Sequence, residues 1–235
     1  MRKRRVYLML GVVGVVLAGV LVAVLSRERE PEYGGKRLSE WVKAYARGPG
    51  VGAIRPGGPA DPIALAETNT IPFLLKWIRY ATPPWKIKLY GAINPVIKRF
   101  NADWELTDEK EVLADGAEMA LWTLTPVAKG AIPELSAILS EPNTYRGAGR
   151  AAHVLSYLGN DGLLALLTAL TNQQATARCK IYVALQIRRL GTNACGAIPA
   201  MQHLLNDPNL GVRRCATNAL RAIDPEARER VDQVK

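Results

Sequence analysis

The chain repeats one short pattern of apolar residues, and this repetition limits the folds that it can adopt. Three segments begin with isoleucine and proline, at residues 71, 132 and 198, and Leu163 begins a fourth without the proline. Apolar residues then recur every three or four positions, which places them on one face of an α-helix. Proline in the first turn costs no helical hydrogen bond and marks where a helix begins. The stripes are Ile71/Leu74/Leu75/Ile78, Ile132/Leu135/Ile138/Leu139, Leu163/Leu166/Leu167/Leu170 and Ile198/Met201/Leu204/Leu205.

The distances between these stripes indicate a repeating unit of two helices. Successive stripes after Ile132 begin 31 and 35 residues apart, and the first two begin 61 residues apart, close to two such units. A polar turn follows the stripe, as at residues 206–209, and a second apolar run follows the turn. One helical hairpin cannot bury its apolar face alone, so consecutive hairpins must stack. The sequence therefore predicts an all-α fold, an α-solenoid of about four to five stacked helical hairpins over residues 69–235.

Residues 196–223 carry several motifs that occur together in a known repeat family. They combine an Ile-Pro start, the Asp207-Pro208 turn, the Val212-Arg213 pair and an Ala-x-x-Ala-Leu second helix. The segment closely resembles a HEAT or HEAT-like repeat, and the resemblance extends more loosely over residues 69–224. Residues 36–41 are also similar to a short element that precedes such repeats in exported bacterial proteins. The resemblance implies a right-handed α-solenoid whose second helices line the concave side, and a scaffold or binding role.

An uncharged run near the start of the chain, residues 6–25, is long enough to cross a membrane. At about 1.5 Å per residue, these 20 residues form a helix about 30 Å long, the thickness of a bilayer core. Four basic residues precede the run, so the positive-inside rule keeps the N-terminus in the cytoplasm. The alternative is a cleaved signal peptide, but its apolar part is usually about 7–15 residues long. The sequence predicts an uncleaved anchor and a periplasmic or extracellular solenoid.

The predicted organisation has four parts. Residues 1–5 form a cytoplasmic basic segment, residues 6–25 a transmembrane signal-anchor helix, and residues 69–235 the solenoid. Residues 26–68 hold a spacer, a short helix with Ser39 as its candidate N-cap, and a linker in which nine of the 16 residues 47–62 are Gly or Pro. Such a composition disfavours regular structure and predicts a loop.

Motifs that would indicate catalysis or metal binding are not found. Residues 147–152 match the dinucleotide pattern GxGxxA, but no strand-like segment precedes them. His153 and His203 are 50 positions apart and have no second candidate ligand at metal-binding spacing. There is no GxSxG, HExxH or Walker lysine. The sequence predicts no catalytic residues, no cofactor and no metal site.

The net charge of +10 and the five tryptophans raise two other functions. Some HEAT-like proteins are DNA glycosylases that use concave Trp and Asp residues, but export across a membrane separates this chain from the chromosome, so no nucleic acid is expected. A second enzymatic alternative is the HEAT-like bilin lyase class, which would need a roomy aromatic cavity, and no residue of this sequence indicates one. The alternative function is therefore an exported enzyme or a chromophore-handling protein on the same scaffold. Most of the tryptophans are predicted to lie in the core.

The candidate binding surface is the face of each second helix opposite its apolar stripe. Arginine and tyrosine are enriched in binding hot spots, and arginines favour a partner with an acidic surface. An ordinary solvated helix face is the alternative. The sequence thus predicts a membrane-tethered protein–protein interaction scaffold rather than an enzyme. The candidate residues are His153, Tyr157, Tyr182, Gln186, Arg189, Arg214, Asn218 and Arg221.

Two predictions concern the support of the fold. Arg178 and Arg213 each follow a turn by six residues and are predicted to bond that turn. Cys179, Cys195 and Cys215 are predicted to be free thiols, because neighbouring helix axes lie about 8–10 Å apart and a disulfide needs Cα atoms within about 7 Å.

Overall fold

The structure, a computed structural model, describes residues 30–48, 63, 68–101, 103–141, 145–172 and 175–224. These residues are mostly helical, which confirms the all-α class. The predicted anchor at residues 6–25 and most of the Gly/Pro-rich linker lie outside the described residues. Within the described ranges, no helix combines the length and the apolar character needed to cross a bilayer.

The secondary structure consists of a small β-hairpin followed by helices. The strands are β1 (Glu32–Tyr33) and β2 (Lys36–Arg37). Short 3₁₀ turns occupy Thr68–Thr70, Lys129–Ala131 and Gly191–Ala197. The α-helices, in chain order, are α1 (Leu38–Arg47), α2 (Ile71–Ile78), α3 (Pro84–Phe100), α4 (Glu109–Thr123), α5 (Thr125–Ala128), α6 (Ile132–Ser140), α7 (Tyr145–Tyr157), α8 (Gly159–Thr171), α9 (Ala177–Leu190), α10 (Ile198–Leu204) and α11 (Leu210–Ile223).

The hairpin occupies part of the region predicted as a spacer. Its strands are antiparallel and turn at Gly34 and Gly35, whose φ angles of +55° and +75° lie in the left-handed region that favours glycine. The indole nitrogen of Trp41 donates a hydrogen bond of 2.8 Å to the carbonyl of Tyr33 and ties the hairpin to α1. Helix α1 begins at Leu38, so the predicted N-cap at Ser39 is wrong.

Helix α1 packs closely against α4. Its apolar stripe of Leu38, Val42 and Tyr45 is buried in the same core as the later helices. A side-chain Cβ at Gly116 of α4 would lie 1.9 Å from the carbonyl oxygen of Val42, so this contact requires glycine. Although the sequence places α1 in a region of spacer and linker, α1 is part of the packed helical unit that begins at Glu32.

The later helices pack in pairs, and each predicted hairpin supplies one pair. Helix α2 packs on α4, α6 on α7, α8 on both α7 and α9, and α10 on α11. We call α2, α6, α8 and α10 the first helices, and α4, α7, α9 and α11 the second helices. The predicted Ile-Pro starts are confirmed for α2, α6 and α10, each of which has proline in its first turn.

The predicted stripes supply most of the core. The stripes of α2 and α6 are buried apart from a partly exposed Ile132. Of the four stripe residues of α8, only Leu166 is buried, and Leu163, Leu167 and Leu170 are partly exposed. The prediction is wrong for Leu205, which is exposed because α10 ends at Leu204.

The 61-residue interval between the first two stripes does not hold two stacked hairpins. Helix α2 pairs with α4, and α3 lies between them in sequence without packing substantially on any other described helix or strand. Helix α3 has no buried residue. The interval therefore contains one helix pair and one additional helix, so the described chain has four helix pairs where the sequence predicts about four to five hairpins.

The tryptophans are not core residues, so the prediction that most are buried is wrong. Trp85, Trp104 and Trp122 are exposed, and Trp41 and Trp77 are half-buried. The core consists largely of alanine and leucine, and Trp41 and Trp77 pack against it from the side. All three cysteines are free, as predicted.

Candidate functional site

The second helices α4, α7, α9 and α11 lie side by side in chain order. Each packs against the next, whereas among the first helices only α6 and α8 pack to a comparable extent. The surface formed by the outward-facing side chains of these four helices is called the second-helix face. All eight candidate residues belong to α7, α9 and α11, and seven of them have side chains at this surface, whereas Gln186 is buried.

A buried arginine, Arg150, joins the second helices α4 and α7. Its side chain is only 5% exposed, and its guanidinium donates hydrogen bonds of 2.5 Å to Glu111 and 2.6 Å to Asp115. It also donates to the backbone carbonyls of Ile78 and Tyr80, at 3.3 and 2.6 Å. Such a charge is tolerated in a core only when its donors are paired. Arg150 therefore locks α7 to α4 and to the end of α2, and it holds the second-helix face in register.

Two carboxyl groups at the start of α4, those of Glu111 and Asp108, have lowered pKa values. Burial alone raises the pKa of Glu111, but hydrogen bonds from Thr82 and the charge of Arg150 outweigh burial and hold that pKa below its ordinary value. Burial likewise raises the pKa of Asp108, while hydrogen bonds from Tyr80 and Lys86 lower it further than burial raises it. Both carboxylates are thus charged partners that hold α4 in place.

An aromatic and arginine cluster crosses three second helices. The rings of Trp122 on α4 and Tyr157 on α7 lie 5.0 Å apart. The guanidinium of Arg189 on α9 donates a hydrogen bond of 2.9 Å to the hydroxyl of Tyr157 and lies 5.8 Å from the ring centre. Trp122 is 40% exposed and Arg189 is also exposed, so the cluster is accessible from solvent. We call Trp122, Tyr157 and Arg189 the cross-helix cluster.

His153 lies next to this cluster and contacts α4. Its Nδ1 atom is in hydrogen-bond contact with the carboxylate of Glu118, and its ring lies 5.1 Å from the ring of Tyr157. Its Nε2 atom is buried and has no partner among the described residues, and the same is true of the Oε1 atom of Gln186 on α9. His153 therefore links α7 to α4 beside the cross-helix cluster.

The other candidates are distributed as follows. Tyr182 packs on α7, where a Cβ at Gly149 would lie 3.2 Å from its ring. Gln186 is buried beneath the surface rather than on it. Arg214, Asn218 and Arg221 are exposed on α11, and no contact joins them to the cross-helix cluster. The structure thus brings together His153, Tyr157 and Arg189, while α11 contributes a separate exposed row.

Sequence reasoning missed two members of this site, Trp122 and Glu118. The sequence predicts a core position for most of the tryptophans, and Glu118 is not among the candidate binding residues. A signal was present: Glu118 and Trp122 are four residues apart on one helix face, as are His153 and Tyr157 on the next helix. Two such pairs on adjacent second helices can meet, but only the packing of α4 against α7 reveals that they do.

The two arginines predicted to bond their preceding turns behave differently. Arg213 donates hydrogen bonds of 2.8 and 2.9 Å to the carbonyls of Asp207 and Pro208, which confirms the prediction. Arg178 lies 5.4 Å from the ring centre of Tyr145 instead, so for Arg178 the prediction is wrong. Lys180 bonds Asp207 at 2.7 Å and lowers the pKa of that carboxyl, so this turn is anchored from both neighbouring helices.

The arginines of α9 and α11 leave this half of the molecule basic. Residues 145–224 contain nine basic and three acidic side chains. Arg188, Arg189, Arg214 and Arg221 are exposed, and none of them forms an ion pair with a described residue. Unpaired exposed arginines attract carboxylates, which they can bind through two parallel hydrogen bonds.

Shallow grooves are found on the side of the first helices. One lies between α6 and α8 and is lined by Ile132, Ser136, Leu164 and Thr168. Another lies between α2 and α6 and is lined by Ile71, Leu75 and Glu134. In the part of the chain that the structure describes, no three His, Cys, Asp or Glu side chains are grouped closely enough to hold a metal ion.

Comparison with known proteins assigns no family to this arrangement. No family model, no curated protein and no solved structure matches the chain. The resemblance to HEAT repeats therefore rests on the sequence motifs, and the function has to be argued from the site itself.

Proposed function

We propose that this chain is a membrane-tethered scaffold that binds another protein through the second-helix face, outside the cytoplasm. The observation that carries the proposal is the cross-helix cluster of Trp122, Tyr157 and Arg189. Tryptophan, tyrosine and arginine are the residue types most enriched in binding hot spots, and here they converge on an exposed surface from three different helices.

The packing supports a HEAT-like α-solenoid as the form of this scaffold. Adjacent second helices pack together throughout, while most adjacent first helices do not, as the α2/α6 groove illustrates. A stack whose helices are closer on one side curves toward that side, so the second-helix face would be concave. A concave surface surrounds a partner and increases the area that each side chain can contact.

The charge of the surface indicates the kind of partner. Arg189, Arg214 and Arg221 are exposed without described acidic partners. Complementary charge increases the rate of association and excludes partners of like charge. We therefore propose a partner with an acidic surface that covers the cross-helix cluster and extends to α11.

The binding proposal is tested by proximity labelling with the full-length chain. Reversing three charges, with Arg189→Glu, Arg214→Glu and Arg221→Glu, should reduce labelling of the specific partner at least about tenfold, because each arginine would then repel its acidic surface. The matched control is Lys129→Glu, which reverses an exposed charge paired with Asp161 near the first helices. It should leave labelling of that partner unchanged. A set of labelled proteins that is identical for wild type and the triple variant would refute the proposed surface.

The tether is tested separately through a cysteine that is already exposed. Cys195 lies at the surface in the turn before α10. A maleimide that cannot cross the cytoplasmic membrane should label the full-length protein in intact cells, because the positive-inside rule places the chain after residue 25 outside. Labelling should be lost in the Cys195→Ser control. If Cys195 reacts only after the cells are lysed, the proposed orientation is wrong.

A further inference from the structure

Helix α3 exposes an apolar stripe that nothing in the described structure covers. Its residues Trp85, Leu89, Ile93, Val96 and Phe100 are spaced by four, four, three and four positions, so they lie on one face of the helix. Four of them are exposed, including Trp85 at 62% and Phe100 at 88%. An exposed apolar patch of this kind marks an interaction site.

A different side of α3 is attached to the loop that follows it and to the start of α4. The side-chain amide of Asn94 donates to the carbonyl of Leu106 at 3.1 Å, and the amide of Leu106 donates back to Asn94 at 2.8 Å. Ion pairs of Lys98 with Glu105 and of Lys86 with Asp108 add to this attachment. None of these contacts is made by a stripe residue, so they leave the stripe uncovered.

The charges beside the stripe are all positive. Helix α3 contains four basic residues and no acidic one. Lys88 and Arg99 flank the stripe, are exposed and form no ion pair with a described residue. A helix with aromatic and aliphatic residues on one face and basic residues beside them is suited to the surface of an anionic bilayer. The basic groups attract the headgroups, and the apolar face enters the boundary with the acyl chains.

A second copy of the chain fits this surface less well. If two α3 helices paired through their stripes, Lys88 and Arg99 of one copy would face basic residues of the other, and no acidic residue of α3 could neutralise them. Like charges that face each other destabilise an interface. Anionic lipid supplies both the apolar phase and the negative charge.

We propose that α3 lies on a membrane surface rich in anionic phospholipid, with the stripe from Trp85 to Phe100 inserted at the level of the headgroups. This inference concerns a different surface from the second-helix face. It does not depend on a protein partner, nor on residues 6–25 being an anchor. Contact through α3 would hold the helical unit against the bilayer and fix which way the second-helix face points.

The test places a photoreactive benzophenone amino acid on α3 of the full-length chain, reconstituted with phosphatidylcholine vesicles that do or do not contain phosphatidylglycerol. One variant carries it in place of Leu89, within the stripe. The matched control carries it in place of Gly91, two residues further along the same helix, on its opposite side and with open space around it. Neither position is buried, so neither substitution disturbs the core.

Lipid adducts are measured by mass spectrometry after illumination. With phosphatidylglycerol present, we expect at least about threefold more lipid adduct at position 89 than at position 91. The excess should fall by about half or more without phosphatidylglycerol, or in a Lys88→Glu/Arg99→Glu variant. Equal adduct at the two positions would overturn the proposal. So would cross-linking of position 89 to a second copy, to another segment of the same chain or, in cells, to a different protein. None of these results bears on the charge-reversal test of the second-helix face.

Discussion

Replacing Arg150 with alanine is expected to lower the free energy of unfolding by about 3–5 kcal/mol. The substitution leaves Glu111 charged and half-buried without its main cationic partner, and it removes the donors to the carbonyls of Ile78 and Tyr80. Chemical denaturation of the full-length chain measures the loss. The matched control is Arg221→Ala, which removes an exposed arginine and should change stability by no more than about 0.5 kcal/mol.

The carboxyl groups of Glu111 and Asp108 at the start of α4 should make the protein sensitive to acid. A carboxyl whose pKa is lowered on folding contributes stability above its unfolded pKa and loses that contribution as the pH falls through its folded pKa. Glu111 and Asp108 both have lowered pKa values, so stability should fall as the pH drops below about 4. Without Arg150 the pKa of Glu111 rises, so the acid-induced loss should be smaller in Arg150→Ala. An alanine variant as stable as wild type, with an unchanged pH profile, would contradict the structural role given to this arginine.

Replacing Gly116 with alanine is the second substitution expected to have a large effect. The added Cβ would lie 1.9 Å from the carbonyl oxygen of Val42, a backbone atom that cannot move aside on its own. Helices α1 and α4 must therefore separate, and we expect a loss of about 2–3 kcal/mol, near the top of the usual range for overpacking. This loss should appear even though alanine is intrinsically the better helix former, by about 1 kcal/mol.

The control for Gly116 is Gly91 on α3, which has open space at the position of a Cβ. Gly91→Ala should be neutral or should stabilise the helix by up to about 1 kcal/mol. Thermal or chemical unfolding of both variants makes the comparison. If both substitutions have the same small effect, α1 does not pack on α4 as closely as described, and the N-terminal boundary of the helical unit has to be moved.

Those parts of the fold that local sequence determines could be predicted. The Ile-Pro starts and the Asp207-Pro208 turn act through neighbours along the chain, so they were found where expected. The 61-residue interval that contains α3 does not hold the two hairpins that its length suggests. The sequence could not show this, because an apolar stripe has the same periodicity whether it is buried or exposed. Whether α3 packs in the core depends on which helices already pack against α4. That is a property of the tertiary structure and not of the local sequence.

The candidate site could be predicted to a similar extent. Taking the face opposite the stripe correctly placed Tyr157 and Arg189 at the surface, since helical geometry alone decides that. Gln186 was placed on the same face but is buried, because α9 has close neighbours on both sides. The contact between Trp122 and Tyr157 depends on the position of α7 along the axis of α4. Arg150 fixes that position through partners more than 30 residues away in sequence.

The contact of Arg150 with the end of α2 also imposes an order on synthesis. The carbonyls of Ile78 and Tyr80 are made 72 and 70 residues before the arginine that binds them. At about 5–20 residues per second, a ribosome needs about 4–14 s to extend the chain from one to the other. During that time the two carbonyls lack this donor, and for the last 39 and 35 residues the carboxylates of Glu111 and Asp115 lack it as well. If the chain is exported while it is made, the first half reaches the far side of the membrane in this unfinished state. These groups stay without their arginine partner until α7 has also been made and exported.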